Sequence, residues 1–134
     1  MYKRQLLFRE ETDSIKVLPS SSHLQVIADK ALIEQILINL IKNALDATQE
    51  CENPRIELSA GINAEGKNYI QVSDNGTGIP ADVQERIFIP FFTTKPVGSG
   101  IGLSISRQIM YMHKGSLTVI SEAGKGSRFL LTFA

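Results

Sequence analysis

Five glycines, Gly76, Gly78, Gly98, Gly100 and Gly102, fall within one short stretch of a 134-residue chain. Glycine lets a backbone N–H approach a ligand with no Cβ in the way, and it accepts φ > 0. The last three lead into Leu103-Ser104-Ile105-Ser106-Arg107-Gln108-Ile109, whose apolar spacing suits a helix. Free amides and the positive end of a helix dipole would then face the glycine loop, which is a ready site for an anion such as phosphate. By itself a Gly-x-Gly-x-Gly run is weak evidence. A dinucleotide fingerprint needs a strand directly before the run and an acid further on, whereas here Thr93-Thr94-Lys95-Pro96 precedes it.

A second set of polar groups lies on a predicted helix. Asp29 is a fitting N-cap for a helix from Lys30 to about Gln49. Ile33, Ile36, Leu37, Leu40, Ile41 and Ala44 form its wide apolar face, and Gln35, Asn39, Asn43 and Asp46 run along one border. Such a stripe is ordinarily a solvated edge. Asparagine is an indifferent helix former, however, and Asn43 is flanked by Leu40-Ile41 and Ala44-Leu45, so its amide needs a partner that an apolar core cannot supply.

The remaining segments position these groups. Ser14 to Leu18 reads as a strand, closed by Pro19 and three serines, with Leu24 to Ile27 returning as its hairpin partner. Arg55 to Ala60 alternates as a half-buried strand and Asn68 to Val72 returns antiparallel, delivering Asp74 at a strand end. There its carboxylate either meets a ligand or caps an Asx-turn. A short helix runs from Ala81 to about Ile87 after Pro80. The helix from Gly100 ends near His113, with Gly115 as its C′ residue, and strands Ser116–Ser121 and Arg128–Phe133 close the chain. The helices cannot alternate strictly with the strands, so the expected fold is a two-layer α/β sandwich: a mixed, mostly antiparallel sheet with about three helices on one face.

Composition sets outer limits. Residues 1–134 fit one domain, and Lys+Arg 14 against Asp+Glu 14 gives no overall pull toward nucleic acid or anionic membrane. The single Cys51 excludes an internal disulfide and a cysteine cluster for zinc, which suits a reducing, cytoplasmic setting. No apolar run is long enough to span a bilayer and no signal peptide is evident.

Taken in order, the Asn-bearing helix, Asp74-Asn75-Gly76-Thr77-Gly78, the Phe88-x-Pro90-Phe91-Phe92 patch, Gly98-Ser99-Gly100-Ile101-Gly102-Leu103 and Gly124-Lys125-Gly126-Ser127-Arg128-Phe129 resemble the ATP-binding catalytic domain of sensor histidine kinases. That family lies in the GHKL (Bergerat-fold) superfamily, shared with type II topoisomerases, MutL-type proteins and heat-shock chaperones. The resemblance spans roughly Val26 to Phe133. It implies that Asn43 is the Mg²⁺ ligand, with Asn39 beside the phosphates or a metal-bound water, and that Asp74 accepts from the adenine amine. It implies that Gly76, Gly78 and Ile79 admit the purine and hinge a lid of about residues 81–99. Phe88, Phe91 and Phe92 would form the lid's aromatic box, at least one of them as ordinary core. Thr94 and Lys95 would lie near the γ-phosphate, with Lys95 otherwise a solvated loop residue. Gly98, Gly100, Ile101, Gly102 and Leu103 would offer amides to the phosphates, and Ser127 would help bind the base through water.

Superfamily hydrolases carry a glutamate as general base one turn before the metal asparagine, and here that position is Asn39. An amide cannot take the proton, so the resemblance implies phosphoryl transfer rather than hydrolysis. Neither His23 nor His113 has the His-Glu-hydrophobic-Arg surroundings of a phosphoacceptor. Both are expected to be structural or surface residues, with a charged His113 favoured at its helix C-terminus. The acceptor histidine is expected upstream, on a dimerisation domain of a parent sensor kinase, with a response regulator as the onward partner. A non-catalytic, anti-sigma-like ATP switch and a GHKL ATPase are the alternatives.

Overall fold

Ile33, Ile36, Leu40 and Ala44 become the buried face of helix α1, Lys30–Ala47. Asp29 caps it as expected, its carboxylate accepting from the Leu32 N–H at 3.1 Å. The helix stops two residues short of Gln49 because Thr48 turns back on it, Oγ1 donating to the Ala44 carbonyl at 2.8 Å. A computed structural model describes residues 15–18, 25–92 and 102–134. The expected site residues Thr94, Lys95, Gly98, Gly100 and Ile101, the second part of the lid, and His23 lie outside the described residues.

The strands are β1 (Ile15–Val17), β2 (Ile56–Ile62), β3 (Asn68–Asp74), β4 (Ser116–Glu122) and β5 (Gly126–Thr132). They form one mixed sheet in the order β1-β2-β3-β5-β4, in which only β1 pairs parallel. Helices α2 (Ala81–Gln84) and α3 (Gly102–Met112) complete the described elements. Period-two alternation aims Ile56, Val72, Phe129, Leu131 and Leu117 at one face, where they meet Ile36, Leu40, Ile109 and Met110 of α1 and α3. The result is the expected open α/β sandwich.

Four local expectations need correction. Residues 25–27 are not a hairpin partner for β1. Ile15↔Ile56 and Val17↔Leu58 register it along the edge of β2, and the Leu18 N–H continues the ladder to the Leu58 carbonyl. Ile27, far from completing a strand, is fully exposed. Helix α2 ends at Gln84 rather than near Ile87, the chain continuing in successive turns.

The C′ residue of α3 is Lys114 (φ 60°), not Gly115. The Gly115 N–H donates to the Met110 carbonyl and the Lys114 N–H to that of Tyr111, the paired bonds of a Schellman motif. Gly115 is instead required by packing, since a Cβ there would lie 2.3 Å from the Thr132 carbonyl oxygen on β5. His113 is structural but not as a cation. Its Nε2 accepts from the Asp29 N–H at 3.0 Å while Nδ1 lies 2.8 Å from the Ile109 carbonyl, a pairing made by the neutral ring with its proton on Nδ1. It thereby ties the start of α1 to the end of α3.

Candidate functional site

One edge of α1 joins the two glycine clusters. At one end the Asn39 Nδ2 donates to Ser106 Oγ of α3 at 3.3 Å, and a Cβ on Gly102 would sit 3.6 Å from the Asn39 amide carbon. At the other end the Ala47 carbonyl accepts from the Thr77 N–H at 3.3 Å, and a Cβ on Gly76 would come within 2.4 Å of that oxygen. Asn39 and Ala47 are eight residues apart, about 12 Å along a helix axis. Half-buried Asn43 falls midway, on the same edge. The N-terminus of α3, Asn39, Asn43 and the loop after Asp74 therefore follow one another along a single border.

Asp74 closes that border from the sheet. Its carboxylate accepts from the Gly76 N–H at 2.9 Å and from the Ser127 N–H across the β3–β5 ladder. Burial raises its pKa above the ordinary 3.8, and these two N–H bonds offset part of the rise. The Asx-turn that sequence offered as the structural alternative thus exists, yet an ionised carboxylate has about four acceptor sites and keeps capacity for a ligand.

Close backbone approaches fix the loop. Gly78 (φ 73°) and Gly126 (φ 105°) each bring a virtual Cβ within 2.1 Å of a backbone carbonyl oxygen, those of Glu122 and Asp74 respectively. No other residue type fits these positions. Asn75 braces the loop from the far side, its Oδ1 accepting from the Arg55 N–H at 2.7 Å and its Nδ2 donating to the Asn53 carbonyl at 2.9 Å.

The three phenylalanines separate. Phe88 packs against the core, with the Arg107 guanidinium 4.4 Å above its ring. Phe92 is half-buried, whereas Phe91 is 76 % exposed with φ 67°. Ile79 and Leu103 likewise send side chains to the core.

Sequence reasoning missed Ser106, Arg107, Gln84 and Ser121, which hold the others in place. The Ile79 N–H donates to Ser121 Oγ at 2.7 Å, and Gln84 Nε2 donates to the carbonyls of Ile79 and Ser121, each at 2.8 Å. Serine and glutamine in these contexts carry no spacing signal; only the Gly-Lys-Gly-Ser turn beside them does.

The model of the family described as histidine kinase-, DNA gyrase B- and HSP90-like ATPase matches residues 28–134. The chain belongs to this ATPase family. Among curated members, sensor protein FixL of Bradyrhizobium diazoefficiens is 39 % identical over 107 residues, 80 % of this chain and 21 % of FixL. The signal transduction histidine-protein kinase AtoS of Escherichia coli is 38 % identical over 104 residues, 78 % of this chain and 17 % of AtoS. This ATPase-family chain thus spans about a fifth of the length of those relatives. Its fold matches the solved catalytic domain of histidine kinase ThkA with a TM-score of 0.77 and 34 % identity, covering 98 % of this chain and 88 % of that one. It also matches full-length ShkA in complex with AMPPNP, with a TM-score of 0.82 and 29 % identity over 97 % of this chain and 28 % of ShkA. Among the described residues no helix of this family member is long and apolar enough to cross a membrane.

Proposed function

We propose that this domain binds Mg-ATP along the Asn39–Ala47 edge of α1 and donates the γ-phosphoryl group to a histidine on a separate dimerisation domain of a parent sensor kinase. An aspartate on a response regulator would then receive it. The observation that carries the reading is the continuity of that edge: an anion-suited helix start at one end, a half-buried acceptor carboxylate at the other, and Asn43 between them. The base would lie against Asp74, Gly76, Gly78 and Ser127, and the phosphates against Gly102 and the amides of Gly98, Gly100, Ile101 and Leu103. Lys95 and Thr94 would complete the γ-phosphate environment, with Phe88 and Phe91 in the lid.

The donor set fits magnesium. Among the described residues no three His, Cys, Asp or Glu side chains converge on a metal. Mg²⁺ commonly takes most of its ligands from substrate phosphates and water, needing only one or two protein oxygens. The Asn43 carbonyl would be that oxygen, with Asn39 beside it. Bound there, the ion would neutralise charge on the phosphates. Transfer then depends on positioning and charge rather than on a general base, which an amide at 39 cannot be.

Calorimetry with Mg-ATP on the chain and on its Asn43→Asp variant, followed by phosphotransfer to an added histidine-bearing dimerisation domain, tests this. The expected result is binding that the substitution weakens, and label on the acceptor histidine. Steady phosphate release with no acceptor would favour a hydrolase. Binding without transfer would favour a nucleotide-gated switch.

A further inference from the structure

Ser121 sits on β4 directly across the ladder from Ser127, on the helix-facing side of the sheet. Its hydroxyl makes three short contacts: it accepts from the Ile79 N–H at 2.7 Å, donates to the Gly126 carbonyl at 2.9 Å, and lies 2.8 Å from Ser127 Oγ. A serine hydroxyl has one proton and two lone pairs. With the proton on Gly126 and one lone pair taken by Ile79, Ser121 can meet Ser127 only as an acceptor. Ser127 is therefore the donor in that contact, and its own proton is committed.

The consequence falls on the next strand. Ser127 is the ladder partner of Asp74, so the two residues stand side by side on the same face. Deprived of its proton toward the site, Ser127 Oγ offers lone pairs only, as does the Asp74 carboxylate. A base edge meeting both must bring donors. A carbonyl at that position would face two acceptors with nothing between.

We propose that Ser121 is a specificity-determining residue acting through Ser127: it fixes the Ser127 hydroxyl as an acceptor, so that the pocket takes a six-amino purine and rejects a six-carbonyl one. This rests on the reading that Asp74 and Ser127 contact the base. Ser121 adds a second constraint, because the Ile79 N–H that it anchors ends the Gly76–Ile79 segment, and Gln84 bridges the carbonyls of both residues. The position of that segment and the polarity of Ser127 are thus set by one side chain.

The test compares affinities of the 134-residue chain for ATP and for inosine triphosphate, with a thermal melt of each variant. In Ser121→Ala, Ser127 recovers a proton that it can turn toward a six-carbonyl. The ATP preference should fall roughly fivefold, the size of one ordinary hydrogen bond. A purely structural loss would weaken both nucleotides alike and leave the ratio untouched. Ser121→Thr, which keeps the hydroxyl, should keep the ratio. In a Ser127→Ala background the Ser121→Ala change should no longer move it, since the group through which it acts is gone. An unchanged ratio in Ser121→Ala, with ATP binding still sensitive to Asp74→Asn, overturns the Ser121 assignment alone. Indifference to Asp74→Asn as well overturns the base pocket and the Ser121 role with it.

Discussion

The two ends of the site are built differently. Around Asp74 the chain is wired to itself: virtual Cβ atoms on Gly76, Gly78 and Gly126 fall 2.1–2.4 Å from backbone carbonyl oxygens, and Ser121 holds three contacts of 2.7–2.9 Å. At the other end Gly102 has room, with the nearest atom 3.6 Å from a virtual Cβ, and Asn39 reaches Ser106 through a bond of 3.3 Å. A half-buried carboxylate must have its acceptor geometry fixed in advance, because misplaced polar groups shielded from water are costly. On the proposed reading the phosphates would bring their own charge and magnesium, so a helix start and amide side chains would suffice to receive them.

The largest expected effect tests the wired end. Gly126→Ala would force a Cβ into the Asp74 carbonyl at φ 105°, costing about 3 kcal/mol or more from strain and overpacking. Urea denaturation of the variant beside Gly102→Ala measures the contrast. Gly102 begins α3 and its Cβ would meet only ordinary van der Waals contact. Alanine there should leave stability within about 1 kcal/mol of the parent, on the gaining side through helix propensity, while Mg-ATP binding weakens because the methyl fills space beside Asn39 that a phosphate would otherwise take. Equal stability losses for the two variants would erase the distinction.

Asp74→Asn separates binding from stability. Replacing a charged acceptor by an amide should remove about 1.5 kcal/mol or more of ATP binding. The unliganded variant should nevertheless melt no lower than the parent at neutral pH, because it no longer buries a charge. The sign follows from the raised pKa of Asp74. Between 3.8 and the higher folded-state value the folded chain holds more protons than the unfolded one, so this residue's contribution to stability falls as pH rises through that window. The variant's advantage should therefore narrow on acidification. ATP affinity of the parent should decline at a higher pH than an ordinary aspartate would give. Melts and titrations across the acidic range check both, and a variant destabilised at neutral pH would mean that its two N–H bonds outweigh desolvation.

How much of this was legible in the sequence tracks the same contrast. Glycine spacing and the Asn stripe on α1 were visible because each needs an unusual residue type. Ser121 was invisible because a serine in a strand is unremarked until its register partner is known, and that partner lies across a turn whose geometry sequence does not print. The partner of β1 is hidden for a related reason: Ile15-Lys16-Val17 specifies a strand but not which edge it joins, and β2 rather than a neighbouring hairpin supplies the ladder. At the end of α3 the eye goes to Gly115 as the left-handed residue, whereas closeness to Thr132 explains that glycine and Lys114 takes the turn.

The smallest expected effect sharpens the looser end. Ser106 is fully buried and its Oγ accepts from Asn39 Nδ2 at 3.3 Å, near the outer limit of a useful bond. Ser106→Ala removes that acceptor without changing shape. Half-buried Asn39 can take water instead, so the cost should be about 0.5 kcal/mol in stability and about twofold in Mg-ATP affinity. Combining it with Gly102→Ala places a methyl in contact with the same amide from the adjacent turn of α3. Two perturbations sharing one partner should not add: the double variant should lose more Mg-ATP affinity than the sum of the singles, because Asn39, freed from its acceptor, can turn into the space that the methyl has already narrowed. Strict additivity would mean that Asn39 is positioned by α1 alone, and that the contact with α3 plays no part in receiving phosphate.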